Sequence, residues 1–249
     1  MNWLLLRGLG RDARHWDGFE RVLEERVPGA RSHCLDLPGV GLALDRPSPL
    51  SVPGIAEDVR ARWLALREAH PGPWGLCGIS LGGMTTLAWI DAHPDDFERA
   101  VAIHPSAFSW DGAWTRMRPR AWAHIAATAA LFWSDVAYER MVMSMVSNVH
   151  VQNVEMLERF ARQRKECGVR LSSLLRQLWA AAWFGCPKEV EPPLLVVRSK
   201  RDLMVHPVCS ERVARQLGAP LVTHEFGGHE LTLDDPEWVA DRIGEWLAS

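Results

Sequence analysis

Short apolar runs alternate with longer amphipathic stretches along the first hundred or so residues, the layout of an α/β domain. "NWLLL" before Arg7 reads as a buried strand, and after a Gly-rich loop a helical stretch runs from about Ala13 to Glu25. A strand around Arg31 to Leu37 ends in "DLPGVG", and a Pro-rich loop leads to a helix near Val52 to His70. Next come a strand at Trp74 to Ile79, a helix opening on Leu81, and a strand over Arg99 to Pro105. Strands that alternate with helices predict a mostly parallel sheet covered on both faces, because each crossover lays its helix against the sheet.

After Pro105 the alternation stops. Residues 106 to 188 read as helix, with "LFWSDVAYERMVMSMV" and "NVEMLERFARQRKE" typical of the segment. Alternation resumes with a strand at Pro192 to Lys200, a helix near Pro207 to Gln216, the strand "PLVTHEF" and the helix "PEWVADRIGEWLA". The expected organisation is a core of about six strands made from residues 1–105 and 189–249, with a helical insertion at 106–188. A length of 249 residues suits one large domain of this kind.

Composition narrows the function. A net charge of -3 supplies no basic field for nucleic acid. The five cysteines form no Cys-x-x-Cys pair and no His–Cys cluster at zinc spacing, so they read as reduced thiols, with no metal site. The apolar run Trp3–Leu6 is short for a signal-peptide core, and "AWAHIAATAALFW", from Ala121 to Trp133, falls short of the roughly 20 residues that span a bilayer. A cytoplasmic protein without a membrane span is the expectation.

The chemistry centres on "WGLCGISLGGM", Trp74 to Met84. Gly-x-Ser-x-Gly alone is a weak signal; here Ser80 lies between an apolar strand and a helix, as a nucleophile elbow requires. So tight a turn forces neighbouring backbones together, which Gly78 and Gly82 permit, and the helix that follows aims the Leu81 N–H at a developing oxyanion. A nucleophile needs a base, and the base an orienting acid. "VVRSKRD" places Asp202 after one strand and "HEFGGHE" places His229 after the next. His206 follows Asp202 too closely to come from a separate loop, and His224 lies within a strand, so both read as structural. Asp234 and Asp235 precede Pro236 and read as the start of the last helix, one of them its N-cap. His104, at the end of a strand, is a candidate pocket residue.

With "RGLG", "LDLPGVG", "GISLGG", "RSKRDLMVHP" and "GGHELTLDDPE" in place, nearly the whole chain resembles the α/β-hydrolase superfamily. In length and motif spacing it is similar to the small capped carboxylesterases of the pimeloyl-carrier methyl ester esterase kind. The resemblance implies an α/β-hydrolase fold, a triad of Ser80, Asp202 and His229, and an oxyanion hole from the N–H groups of Leu9 and Leu81. It also implies that 106–188 is a helical cap over the serine. One departure is the loop before the oxyanion donor, where Arg7 replaces the usual histidine. Arg7 then either hydrogen-bonds loop carbonyls or recognises a substrate carboxylate.

The implied activity is hydrolysis of carboxylic esters through an acyl-enzyme, with no cofactor. Acyl transfer and thioester hydrolysis would use the same triad, and a non-catalytic ligand-binding receptor would keep the scaffold without turnover. In the cap, Trp110, Trp114, Trp122, Trp133, Trp179 and Trp183 are expected partly to glue cap to sheet and partly to roof a pocket for an apolar acyl or aryl group, with Trp110 taken as a substrate contact. Eleven Lys or Arg against six Asp or Glu in 106–188 also suit an acidic partner such as an acyl-carrier protein.

Overall fold

Successive side chains of a strand point to opposite faces of its sheet, so a strand buried on both sides must be apolar throughout. The computed structural model, which describes residues 1–109 and 116–249, shows this in β1 (Asn2–Leu6) and β3 (Trp74–Ile79), buried along their whole lengths. With β2 (Arg31–Cys34), β4 (Arg99–Ile103), β5 (Leu194–Ser199) and β6 (Leu221–His224) they form one parallel sheet in the order β2-β1-β3-β4-β5-β6. Leu6 pairs with Gly78, and Ile79 with Ile103.

Leu4, Leu6, Leu76, Ala102 and Val196 pack one face against α2 (Val52–Ala69) and α3 (Leu81–Ala92). Trp3, Leu5, Cys77, Val101 and Val197 pack the other against α1 (Phe19–Arg26) and a C-terminal helix spanning Pro236–Ala248. Each fully buried Leu or Val contributes about 2 kcal/mol relative to exposure. The strand order reverses between β1 and β3, and in open parallel sheets the crevice beyond the strand ends at such a point receives ligands. Arg7 and Ser80 are the residues that follow these two strands.

The helix expected from Ala13 to Glu25 is two pieces. A 3-10 turn, Ala13–Trp16, ends where Asp17 and Gly18 take left-handed backbone (φ 52° and 96°), and α1 begins afterwards. Left-handed residues cannot continue a right-handed helix.

Between β4 and β5 the described residues form α4 (Pro119–Ala130), α5 (Asp135–Val146), α6 (Val154–Cys167) and α7 (Leu171–Ala182). Beyond β5 lie α8 (Val208–Gln216), the short α9 (Leu231–Asp234) and the C-terminal helix, α10. A separate apolar cluster, including Met143, Met156, Leu157 and Phe160, holds the helical segment together, and Leu233 of α9 joins it to the core. Of the four tryptophans described in this segment, Trp133 is 84% exposed, and Trp179 and Trp183 are more than half exposed. Flexible methionines fill the irregular space between the helices instead. Trp110 and Trp114 lie outside the described residues.

Candidate active site

Ser80 sits between β3 and α3 with φ 57° and ψ -117°, a backbone conformation that costs a non-glycine residue on the order of 1–3 kcal/mol. Its own N–H donates to the Ile103 carbonyl (2.8 Å), and its carbonyl accepts from Met84 N–H (2.9 Å), which anchors the strained residue on both sides. A Cβ added at Gly78 would come within 2.2 Å of the Gly82 carbonyl oxygen, and one at Gly82 within 2.2 Å of the Leu6 carbonyl oxygen. Only glycine fits either position. A Cβ at Gly8 would stand 3.2 Å from the Ser80 Cβ, so the loop after β1 lies directly against the serine.

Asp202 and His229 arrive from the loops after β5 and β6 and meet in the interior. His229 Nδ1 is 2.6 Å from Asp202 Oδ2, while Asp202 Oδ1 accepts the backbone N–H groups of Met204 (2.7 Å) and Val205 (2.9 Å). Burial alone would raise the Asp202 pKa, but His229, aided by His104 and the Val205 N–H, outweighs it and holds the carboxyl below the ordinary carboxylate range. Burial likewise works against the charged form of His229, and the Asp202 carboxylate overcomes it, so the imidazole pKa is raised. Among the described residues, the buried His229 Nε2 has no hydrogen-bond partner.

A cavity of about 100 Å³ is lined by Ser80, His229, Gly8 and Leu9, with apolar walls from α5 and α7. A second, of about 310 Å³, shares Ser80 and Leu9 and extends past Leu81, Met84, Trp122 and Trp179. The two spaces meet at the serine.

His104 and Arg7 are not placed as substrate contacts. His104 is 2% exposed and lines neither cavity; its ring stacks on His229 at 5.1 Å, and its Nε2 accepts the Ser199 N–H at 2.8 Å. Burial pushes its pKa down to about 4, which keeps it neutral. Among the described residues, Arg7 bonds no loop carbonyl and lines neither cavity. It donates to Glu230 at 2.5 Å and to Thr232 Oγ1 at 3.4 Å, and lies over the Trp16 ring. A guanidinium this deeply buried needs a carboxylate, and Glu230 supplies it.

His104, Asp202 and His229 bring three ligand-type atoms within 4.8 Å of one another. The His104 nitrogen that faces Asp202, Nε2, is already the acceptor of the Ser199 N–H, so this set does not suit a metal ion as arranged.

Residues 3–242 match the model of the alpha/beta hydrolase family. The chain belongs to this family. Pimeloyl-[acyl-carrier protein] methyl ester esterase from Stenotrophomonas maltophilia is 24% identical over 222 residues, covering 87% of this chain and 82% of that protein. A thermophilic esterase from Thermogutta terrifontis superposes with a TM-score of 0.75 at 19% identity, over 100% of this chain and 89% of that one. An alpha/beta hydrolase fold protein from Chitinophaga pinensis gives 0.78 at 16%, over 100% and 90%.

Other residues of this alpha/beta hydrolase hold the site together, and the roles of Gln177 and Asp234 among them carry little sequence signal. Gln177 of α7 is fully buried, accepts Gly10 N–H (3.0 Å) and donates to the Pro38 carbonyl (3.1 Å), tying the helical segment to the loop beside Ser80. Asp234 accepts from Gly228 N–H (2.6 Å), Asn148 N–H (2.9 Å) and the Ser147 hydroxyl, so it clasps the His229 loop to the end of α5. Asp235 caps α10 through Trp238 N–H at 3.1 Å. His224 accepts Phe226 and Gly227 N–H groups and shapes the turn before His229.

Proposed function

We propose that this hydrolase cleaves carboxylic esters through an acyl-enzyme intermediate. Ser80 attacks the ester carbonyl while His229 Nε2 takes its proton. Asp202 fixes the imidazole tautomer and stabilises the imidazolium, and the N–H groups of Leu9 and Leu81 bind the tetrahedral oxyanion. His229 then protonates the departing alcohol, and the same nitrogen activates the water that releases the acid. These steps use protein groups and water alone.

The observation that carries this reading is the strained Ser80, set at the strand–helix turn, sharing a cavity wall with a histidine whose other nitrogen lies 2.6 Å from a buried carboxylate. Such strain persists where the surrounding structure holds it and marks functional positions. The helical segment 106–188 acts as a cap, and the two spaces that meet at Ser80 take the acyl and alcohol groups of a small, largely apolar ester. The relative named for an acyl-carrier substrate and the basic excess of the cap both support a carrier-linked acyl ester.

The test is hydrolysis of p-nitrophenyl esters of increasing acyl length by wild type and Ser80→Ala. Loss of nearly all turnover in the variant supports the reading. Equal rates in both proteins, or a folded wild type inert toward every ester, would remove it. Carrier-linked and free esters that respond identically to a salt titration would remove the carrier.

A further inference from the structure

The wall of the smaller cavity is hydrocarbon on most sides, yet two charged side chains that the reaction does not use, Arg11 and Glu230, reach it. Arg11, five residues beyond the end of β1, lines the same space as Ser80 and His229 and is 5% exposed. Its Nη1 donates to Glu139 of α5 at 2.6 Å, and among the described residues this is the side chain's one hydrogen bond. A guanidinium carries five N–H donors in a fixed fork. The remaining donors belong to a side chain that borders the cavity.

Charge nearby is balanced. Arg11 pairs with Glu139 and Arg7 with Glu230, all four buried, and Glu230 also borders the cavity. A further carboxylate brought here would meet two carboxylates already held by two guanidinium groups. An all-hydrocarbon group would strip water from the Arg11 donors and return no acceptor. A carbonyl, hydroxyl or amide oxygen satisfies the donors and leaves the charges balanced.

We infer that Arg11 is a specificity residue, and that the ester arm seated in the smaller cavity carries a neutral hydrogen-bond acceptor that the Arg11 guanidinium binds. The inference rests on the esterase reading and names its substrate class. Most of the cavity fits the hydrocarbon part of that arm, with Leu174, Leu178 and Met145 among its contacts. Beyond the serine loop the lining also holds Thr128, Tyr138 and Glu230, and among these groups the acceptor addresses the guanidinium, whose five donors outnumber its one bond. Arg11 thereby selects among esters of equal length and shape.

The experiment measures kcat/KM for p-nitrophenyl heptanoate, its positional oxo analogues and a terminal-carboxylate analogue, with a matched set carrying the oxo group in the alcohol arm of acetate esters. Wild type is expected to prefer one oxo ester over its alkyl counterpart by roughly ten- to a hundredfold in one of the two sets, with the carboxylate analogue behind it. Arg11→Met combined with Glu139→Gln removes both charges together, and the preference should fall towards unity. Arg11→Lys keeps the charge without the fork and should give an intermediate ratio, which serves if the double variant does not fold.

Wild type that treats oxo and alkyl esters alike in both sets, a carboxylate analogue that is the best substrate, or a folded variant with the wild-type ratio would each overturn the inference. Failure of the esterase reading is separate: there no ester turns over, or Ser80→Ala turns them over as well as wild type.

Discussion

The Arg7 guanidinium lies 2.5 Å from the carboxylate of Glu230, the residue after His229, and so ties the loop beside Ser80 to the loop that carries the histidine. Both side chains are buried, and breaking a buried pair from one side strands the other charge. Arg7→Ala is expected to cost about 3–5 kcal/mol in denaturant unfolding at neutral pH. Arg7→Leu with Glu230→Leu strands no charge and should recover most of that loss. A double variant as unstable as the single would show that Glu230 is not what makes Arg7 necessary.

His229 must be neutral to accept the serine proton, and its pKa is raised because Asp202 outweighs the opposing effect of burial. Under the proposed mechanism kcat/KM therefore falls as pH drops, with a midpoint above the 6.5 of an unperturbed imidazole. Asp202→Asn removes the charge and leaves burial dominant, so the midpoint should move to lower pH while kcat falls on the order of 10⁴-fold, the scale of such a loss in serine proteases. A pH–rate profile of both proteins on one p-nitrophenyl ester decides this. An unshifted midpoint would mean that another group sets the acid limb.

His104 gives the fold an acid-sensitive point of its own. Its pKa is about 4 in the folded state, pushed down by burial, against 6.5 for the free side chain. The unfolded chain then binds a proton between these values that the native state refuses. Stability associated with the neutral ring is complete above pH 6.5 and is lost as pH falls towards 4, by up to roughly 3 kcal/mol. His104→Asn should flatten the dependence of unfolding free energy on pH across this window. It should also lower stability at neutral pH by about 1–3 kcal/mol if the buried Ser199 N–H loses its acceptor. Unchanged acid sensitivity in the variant would assign the effect elsewhere.

What was legible in the sequence is what local patterning encodes. Apolar runs and their spacing give the strands and helices around the site, and Gly78, Ser80 and Gly82 announce a tight turn because its demand is steric and local. Asp202 and His229 read as candidates because each follows a strand, and parallel strands end on the same side of a sheet. Arg7–Glu230, Arg11–Glu139 and the two bonds of Gln177 join residues far apart in the chain. Their pairing depends on how the helical segment seats on the core, and no periodicity records that. The sequence alone therefore points Arg7 to loop carbonyls or substrate, and His104 to the pocket. The break at Asp17 did carry a signal, since Asp-Gly is a turn dipeptide, but the amphipathic pattern on either side masks it.

The elbow can be tested by geometry alone. Gly82→Ala would push a methyl to 2.2 Å from the Leu6 carbonyl oxygen and 2.7 Å from that of Arg7, both backbone atoms held by the sheet and by the loop beside Ser80. Neither can yield without moving β1 relative to α3. The substitution is expected to destabilise by about 3 kcal/mol or more and to abolish turnover, because relief of the clash displaces the loop that bears Leu9. Gly244, inside α10, is the control: a Cβ there meets nothing closer than 3.6 Å. Gly244→Ala should stabilise by about 0.5–1 kcal/mol through helix propensity and leave activity unchanged. Urea melts of the two variants beside wild type read both signs in one experiment. If Gly82→Ala proved as harmless as Gly244→Ala, the close approach of β1 and α3 that seats Ser80 would not be what holds this turn.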